Sequence, residues 1–174
     1  LFSNYAYKKR FVYIPNGTQM NYSPDEVFSF ENGTILIKNF YYPEDFRIKD
    51  GPKKIIETRL LIKESDKWKA LNYVWRDDQK DADLNYIGKK LNISWTHSNG
   101  IKKSTVYNVP NNNQCKNCHI NGKDISPIGP TAAQLNRKYN MLSNQINQLE
   151  FYDKKGLLKN LPDHKNLPKF AVWD

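Results

Sequence analysis

Cys115-Lys116-Asn117-Cys118-His119 constrains this chain more than any other feature, because its two cysteines are the only ones in 174 residues and one of three histidines follows directly. Two thiols three positions apart on one helical turn can both add to the vinyl groups of a porphyrin. The imidazole beside the second thiol then meets the iron from the same side. The pattern therefore predicts one covalent haem c, with Cys115 and Cys118 as thioether anchors and His119 as proximal iron ligand. Other chemistries of a CxxC pair fit less well. A structural zinc site needs four Cys/His ligands, and the sequence has no second CxxC or paired-histidine element to complete it. A thioredoxin-like pair wants a βαβ context and a helix start, whereas Pro110 and Asn111-Asn112-Asn113 precede this motif. A disulfide between the two would close a short, strained ring.

The motif's place in the chain bears on fold class. In the common all-helical cytochromes it lies near the N-terminus, but here about a hundred strand-rich residues precede it. Phe11–Ile14, Thr34–Tyr42, Ile55–Lys63, Trp68–Trp75, Leu91–His97 and Lys102–Val109 read as strands, with hairpin turns at Glu64-Ser65-Asp66-Lys67 and Ser98-Asn99-Gly100. Residues 34–42, 55–63 and 68–75 are expected to pair antiparallel, and the sheet's apolar face to supply much of the haem pocket. Residues 1–10 read as a short amphipathic helix started by Ser3, with Leu1, Phe2 and Tyr5 as its apolar side. Pro127, Gly129 and Pro130 punctuate the chain before a helix from about Thr131, and Met141, Leu142, Ile146 and Leu149 suggest a second one. The tail after Gly156 is broken by Pro162 and Pro168 and reads as extended. The expected fold is mainly β (α+β): one cytochrome domain over 1–174, with a β scaffold in 1–110 and a haem-attachment segment with short helices in 111–174.

A hydrophobic fraction of 39% with 13% aromatic residues fits a globular chain, and no apolar run reaches membrane-spanning length. Haem is attached covalently outside the cytoplasm, so the motif implies an exported, periplasmic protein. The net charge of +9 comes from lysines scattered over strands and loops, with no nucleic-acid motif, which points to a surface that steers an acidic redox partner. Asn16, Asn21, Asn32 and Asn92 open N-x-S/T sequons, read here as a product of an Asn-rich sequence.

Several stretches resemble a family of bacterial exported haem proteins of undefined function: Leu1-Phe2-Ser3-Asn4-Tyr5-Ala6, Gly33–Lys38, Glu57–Ile62, Tyr73-Val74-Trp75, Asn113–His119, Pro127-Ile128-Gly129-Pro130 and Leu135-Asn136-Arg137. In many members this region is fused to, or encoded with, a further cytochrome c domain. A more distant likeness is to the β-sheet cytochromes, cytochrome c-prime-beta and the lysine-crosslinked hydroxylamine-oxidising cytochromes. These carry a G-T-x-x-x-K strand, matched by Gly33-Thr34 and Lys38. That likeness implies a β fold and an open iron site walled by aromatics such as Phe40, Tyr41 and Tyr42. It also implies a lysine able to crosslink to haem, although a strand lysine such as Lys38 is expected to point to solvent.

The ligand opposite His119 is left open between a methionine and none. Met20 lies in a stretch read as a loop, where an apolar residue has little reason to be packed, and is placed ahead of Met141, which reads as core. His97 and His164 read as surface histidines. The function read from these features is an electron-transfer cytochrome; the alternative is an open-site enzyme or binder for the hydroxylamine, nitric oxide or peroxide class, with enzymatic activity undecided. A third reading is a docking domain whose haem holds the C-terminal loops together. Metal-bound histidine donates its second ring N–H to a carbonyl or carboxylate. A backbone carbonyl of Pro127 or Pro130 is the expected acceptor.

Overall fold

Side chains that alternate between apolar and polar along short runs build the first two-thirds of the chain into antiparallel β-structure. The computed structural model of the protein describes residues 3–111, 113–114, 119–141, 144–163 and 167–171. Five strands form the main sheet: β1 (Tyr7–Tyr13), β3 (Ile35–Pro43), β4 (Lys53–Glu64), β5 (Lys67–Trp75) and β6 (Ala82–Leu84), in the order β1-β3-β4-β5-β6. β2 (Met20–Asn21) lies outside it, and β7 (Lys89–Thr96) and β8 (Lys102–Val109) form a separate hairpin. All neighbouring pairs of the main sheet are antiparallel. The β4–β5 turn places Ser65 and Asp66 at φ +48° and +61°, the two positive angles that a two-residue hairpin turn of the right twist requires.

The sheet turns one face inward, and two apolar clusters form on it. Ala6, Phe40, Tyr42, Ile56 and Val74 meet Ile93, Trp95, Tyr107 and Val109 of the β7–β8 hairpin in the first. Val12, Leu36 and Trp68 pack on the second, formed by Met20, Phe28, Phe30, Ala132, Leu149 and Leu158. A bulge opposite Phe40/Tyr41 sets two consecutive residues, Ile56 and Glu57, on the buried face, and both are sealed from solvent.

Between the clusters the usual polarity of a sheet is reversed. Arg10, Lys38 and Arg59 lie directly opposite one another on three adjacent strands, followed by Asn72 on β5. The next row, which points outward, is Phe11, Ile37, Leu60 and Leu71. Like charges placed directly opposite across strands destabilise a sheet, so the three cations mark a place where stability yields to another requirement.

The C-terminal segment folds back on the start of the chain. β9 (Ile120–Asn121) and β10 (Asp124–Ile125) form a tight hairpin. The next elements are helix α1 (Ala132–Leu135), the hairpin of β11 (Lys138–Met141) and β12 (Asn144–Asn147), helix α2 (Gln148–Lys154) and β13 (Leu158–Lys159). β13 pairs parallel with β2, Val27 bridges Thr131, and the Phe28 N–H donates to the Pro130 carbonyl at 3.1 Å.

Two expectations fail here. Residues 7–10 open the strand expected only from Phe11 and do not end a helix, because the Tyr7-Lys8-Lys9-Arg10 run alternates across the sheet. Leu1 and Phe2 lie outside the described residues. Of the helix suggested by Met141, Leu142, Ile146 and Leu149, only Leu149 is helical. Met141 and Ile146 lie in the paired strands β11 and β12, Leu142 falls outside the described residues, and β12 runs up to Asn147. That residue caps α2 by accepting the Leu149 N–H at 2.9 Å, so the helix starts only where the cap allows. The described tail after Gly156 holds no helix, as expected, and within it Leu158 and Lys159 pair with β2. The mainly antiparallel β architecture with short helices is as expected, and 34–42, 55–63 and 68–75 pair as read.

Candidate haem site

His119 enters the site from the residue just before β9. The turn of this hairpin runs through Gly122 at φ +64°, a conformation that suits glycine. Its register sets Ser126 opposite His119: the Ser126 N–H donates to the His119 carbonyl at 2.8 Å, and the His119 Nδ1 lies 3.2 Å from the Ser126 carbonyl. A carbonyl only accepts, so Nδ1 carries the hydrogen and Nε2 keeps a free lone pair. That is the tautomer a metal-binding histidine uses. Burial lowers the imidazole's pKa, the Ser126 carbonyl opposes this, and the charges of Lys38 and Arg59 lower it again. The ring is thus held neutral and able to donate its lone pair.

The acceptor is Ser126, one residue before the expected loop. The Pro127 carbonyl accepts the Ser126 hydroxyl at 3.4 Å, and the Pro130 carbonyl accepts the Phe28 N–H. Both are engaged elsewhere because hairpin register, not proximity in sequence, decides which carbonyl faces the ring. Pro127-Ile128-Gly129-Pro130 instead fastens the segment to the core. Thr131 caps α1 in a reciprocal box with Gln134, whose side chain turns back across Gly129. A Cβ on Gly129 would meet the Gln134 Oε1 at 2.2 Å, so the motif's glycine makes room for that cap.

Lys38 and Arg59, whose charges act on the His119 imidazole, belong to the row Arg10–Lys38–Arg59 on the inner face of the sheet. Lys38 does not reach into open solvent. It is half-buried, with its Nζ 4.9 Å from the Phe40 ring centroid, and the Arg59 guanidinium lies 4.4 Å from the same ring. Burial brings the Lys38 amine down to about 8, aided by Arg10, Arg59 and Lys8 and opposed by Glu57. Lys8 is lowered by burial and then by Arg10 and Arg59, and Arg10 by burial and then by Arg137. Among the described residues neither Arg10 nor Lys38 forms an ion pair.

One carboxylate serves this cationic face. Glu57 is fully buried; its Oε1 accepts from the Arg59 guanidinium and from the Tyr107 hydroxyl at 2.5 Å. Among the described residues the Glu57 Oε2 and the Asn72 Oδ1 are buried acceptors with no donor. They leave hydrogen-bonding capacity for a bound group.

Met20 is not in a loose loop. It pairs with Leu158 and is fully buried in the second cluster, held by strand pairing that its polar neighbours did not reveal. That packing overturns the premise on which it was placed as distal ligand. Met141 lies in β11. Cys115, Cys118 and His164 fall outside the described residues. His97 is half-buried in an aromatic cluster and accepts the Trp95 indole N–H at its Nδ1, 3.3 Å away. Lys38, Arg59 and Glu57 are the site residues the sequence reading missed as a group. The G-T-x-x-x-K likeness had singled out Lys38 alone.

The fit to a covalent haem rests on two features: the free Nε2 of a neutral histidine, and the positive charges of Lys38 and Arg59 near it, which suit propionate carboxylates. No protein-family model, curated protein or solved structure matches the chain.

Proposed function

We propose that the chain is an exported c-type haem protein whose iron has an open position for a small ligand. Cys115 and Cys118 hold the haem and His119 is its proximal ligand. Haem supplies a redox-active iron with one position for exchangeable ligands. The Ser126 carbonyl orients the His119 ring and raises its basicity. Lys38 and Arg59 offer N–H donors and positive charge to a ligand that gains electron density on the iron. The observation that carries this reading is the pair of environments: the charges acting on His119 are Lys38 and Arg59, while Met20 is sealed in a separate core.

A Met/His electron-transfer centre is the second reading. Exposed lysines such as Lys9 and Lys102 favour it as a dock for an acidic partner. Mass spectrometry and absorption spectra of periplasmically matured protein separate the two. The expected result is one haem retained after denaturation, with a high-spin ferric spectrum and a ferrous form that binds carbon monoxide. An unmodified mass overturns haem c; a low-spin ferrous form inert to carbon monoxide overturns the open site.

A further inference from the structure

Rings in contact run from the cationic face to the far surface of the β7–β8 hairpin. Phe40, clasped by Lys38 and Arg59, lies 6.4 Å from Tyr107 between ring centroids. Tyr107 is 6.2 Å from Tyr42, Tyr42 is 5.2 Å from Trp95, and Trp95 is 5.8 Å from Tyr5. Tyr5 is 47% exposed. Aromatic clusters fill many cores, and packing alone would explain the rings. It does not explain their polar partners. The Tyr107 hydroxyl donates to Glu57, a fully buried carboxylate, and the Trp95 indole donates to the imidazole of His97. Burying a carboxylate is costly even when it is paired. Of the three inner oxidisable rings, Tyr107 and Trp95 thus each hold a titratable proton acceptor at hydrogen-bond distance, whereas Tyr42 donates to the Asn4 carbonyl.

We propose that Tyr107, Trp95 and Tyr5 relay single electrons from the protein surface to the haem site, each inner step coupled to a local proton transfer. The proposal rests on the haem reading above. A peroxide reduced at the haem takes two electrons and two protons to become water, and the relay supplies the electrons one at a time. Tyr107 gives up an electron and passes its phenolic proton to the Glu57 Oε1. Trp95 then reduces the Tyr107 radical across the Tyr42 ring. Glu57 returns its proton to Tyr107 as the Trp95 indole proton moves to the His97 Nδ1. Tyr5 reduces the Trp95 radical, His97 hands its proton back, and the Tyr5 phenolic proton goes to water. An external one-electron donor restores Tyr5, which takes up a proton from solvent. Phe40 and Tyr42 act as contact bridges. Burial, then Glu57, pushes the Tyr107 pKa up, and burial pushes that of Tyr42 to about 12, so both phenols are protonated at rest.

The test uses the matured holoprotein with its covalent haem verified by mass. Peroxide without donor, followed by freeze-quench electron paramagnetic resonance and spin-trap mapping by mass spectrometry, should show an organic radical with the adduct on Tyr5. Trp95→Phe retains an aromatic ring and loses the indole proton. It should trap the radical at Tyr107 and reduce both Tyr5 labelling and peroxide-driven oxidation of a dye donor by on the order of tenfold. Tyr107→Phe should reduce both as well, which keeps the test intact if the tryptophan variant fails to fold. Haem present with Tyr5 unlabelled, or labelled equally in both variants, overturns the relay alone. A chain without covalent haem overturns the earlier reading, and the relay with it.

Discussion

Lys38→Met should stabilise the haem-free chain near neutral pH, although it removes a half-buried side chain from the middle of the sheet. The amine sits over Phe40 with Arg10 and Arg59 directly opposite it on the flanking strands, and its pKa falls from 10.5 to about 8. At neutral pH it is charged in both states, and the folded chain carries that charge against two like neighbours. Between about pH 8 and pH 10.5 the folded state releases the proton and the unfolded state still binds it, so stability rises with pH across that window. At about 1.4 kcal/mol per pH unit the full difference is about 3 kcal/mol, which solvent screening at a partly exposed amine reduces to about 1–2 kcal/mol. Methionine retains most of the aliphatic stem and its contact with the ring. Urea unfolding followed by tryptophan fluorescence should therefore find the variant about 1–2 kcal/mol more stable near pH 7, with the difference gone above pH ~10.5. A variant less stable at neutral pH, or a difference that does not change with pH, would refute the reasoning.

Two further substitutions probe the scaffold. Met20→Ala should destabilise the protein by about 2–5 kcal/mol in chemical denaturation while leaving the haem spectrum unchanged, because it empties a fully buried position away from His119. Disappearance of a low-spin band would instead make Met20 a ligand. Gly88→Ala should lower stability by about 1–3 kcal/mol in the same assay, since Gly88 sits at φ +83° and its Cβ would lie 2.9 Å from the Val109 carbonyl; an unchanged midpoint would contradict that strain.

The hairpin of β4 and β5 was legible because Ile, Leu and Trp alternate with polar residues around Ser65 and Asp66, and local chemistry suffices to specify such a turn. His119 was singled out for a different reason: its spacing from two thiols is the one that covalent haem attachment requires. The cationic row was not. Arg10, Lys38 and Arg59 become neighbours only through the pairing register of β1 with β3 and β3 with β4, which no short window of sequence contains. Lys8, Lys9 and Arg10 put charges on both faces of β1, without the apolar alternation of a strand, and the first part of β1 was read as the end of a helix. Met20 was misread on the same ground, since β13, the strand that buries it, comes near the other end of the chain. Ser126 replaced Pro127 and Pro130 because a hairpin's register turns on single residues.

The return of β13 to β2 has a consequence for the order of events in folding. The Asn160 side chain donates to the Asn21 Oδ1 at 2.6 Å across a separation of 139 residues, and Met20 takes its place in the core only when Leu158 arrives. Closing so large a loop loses more chain entropy than forming any hairpin of the sheet, so this contact belongs among the last to form. The hairpins of the sheet therefore form before the second core closes, and on the reading proposed above a haem would be attached within that interval.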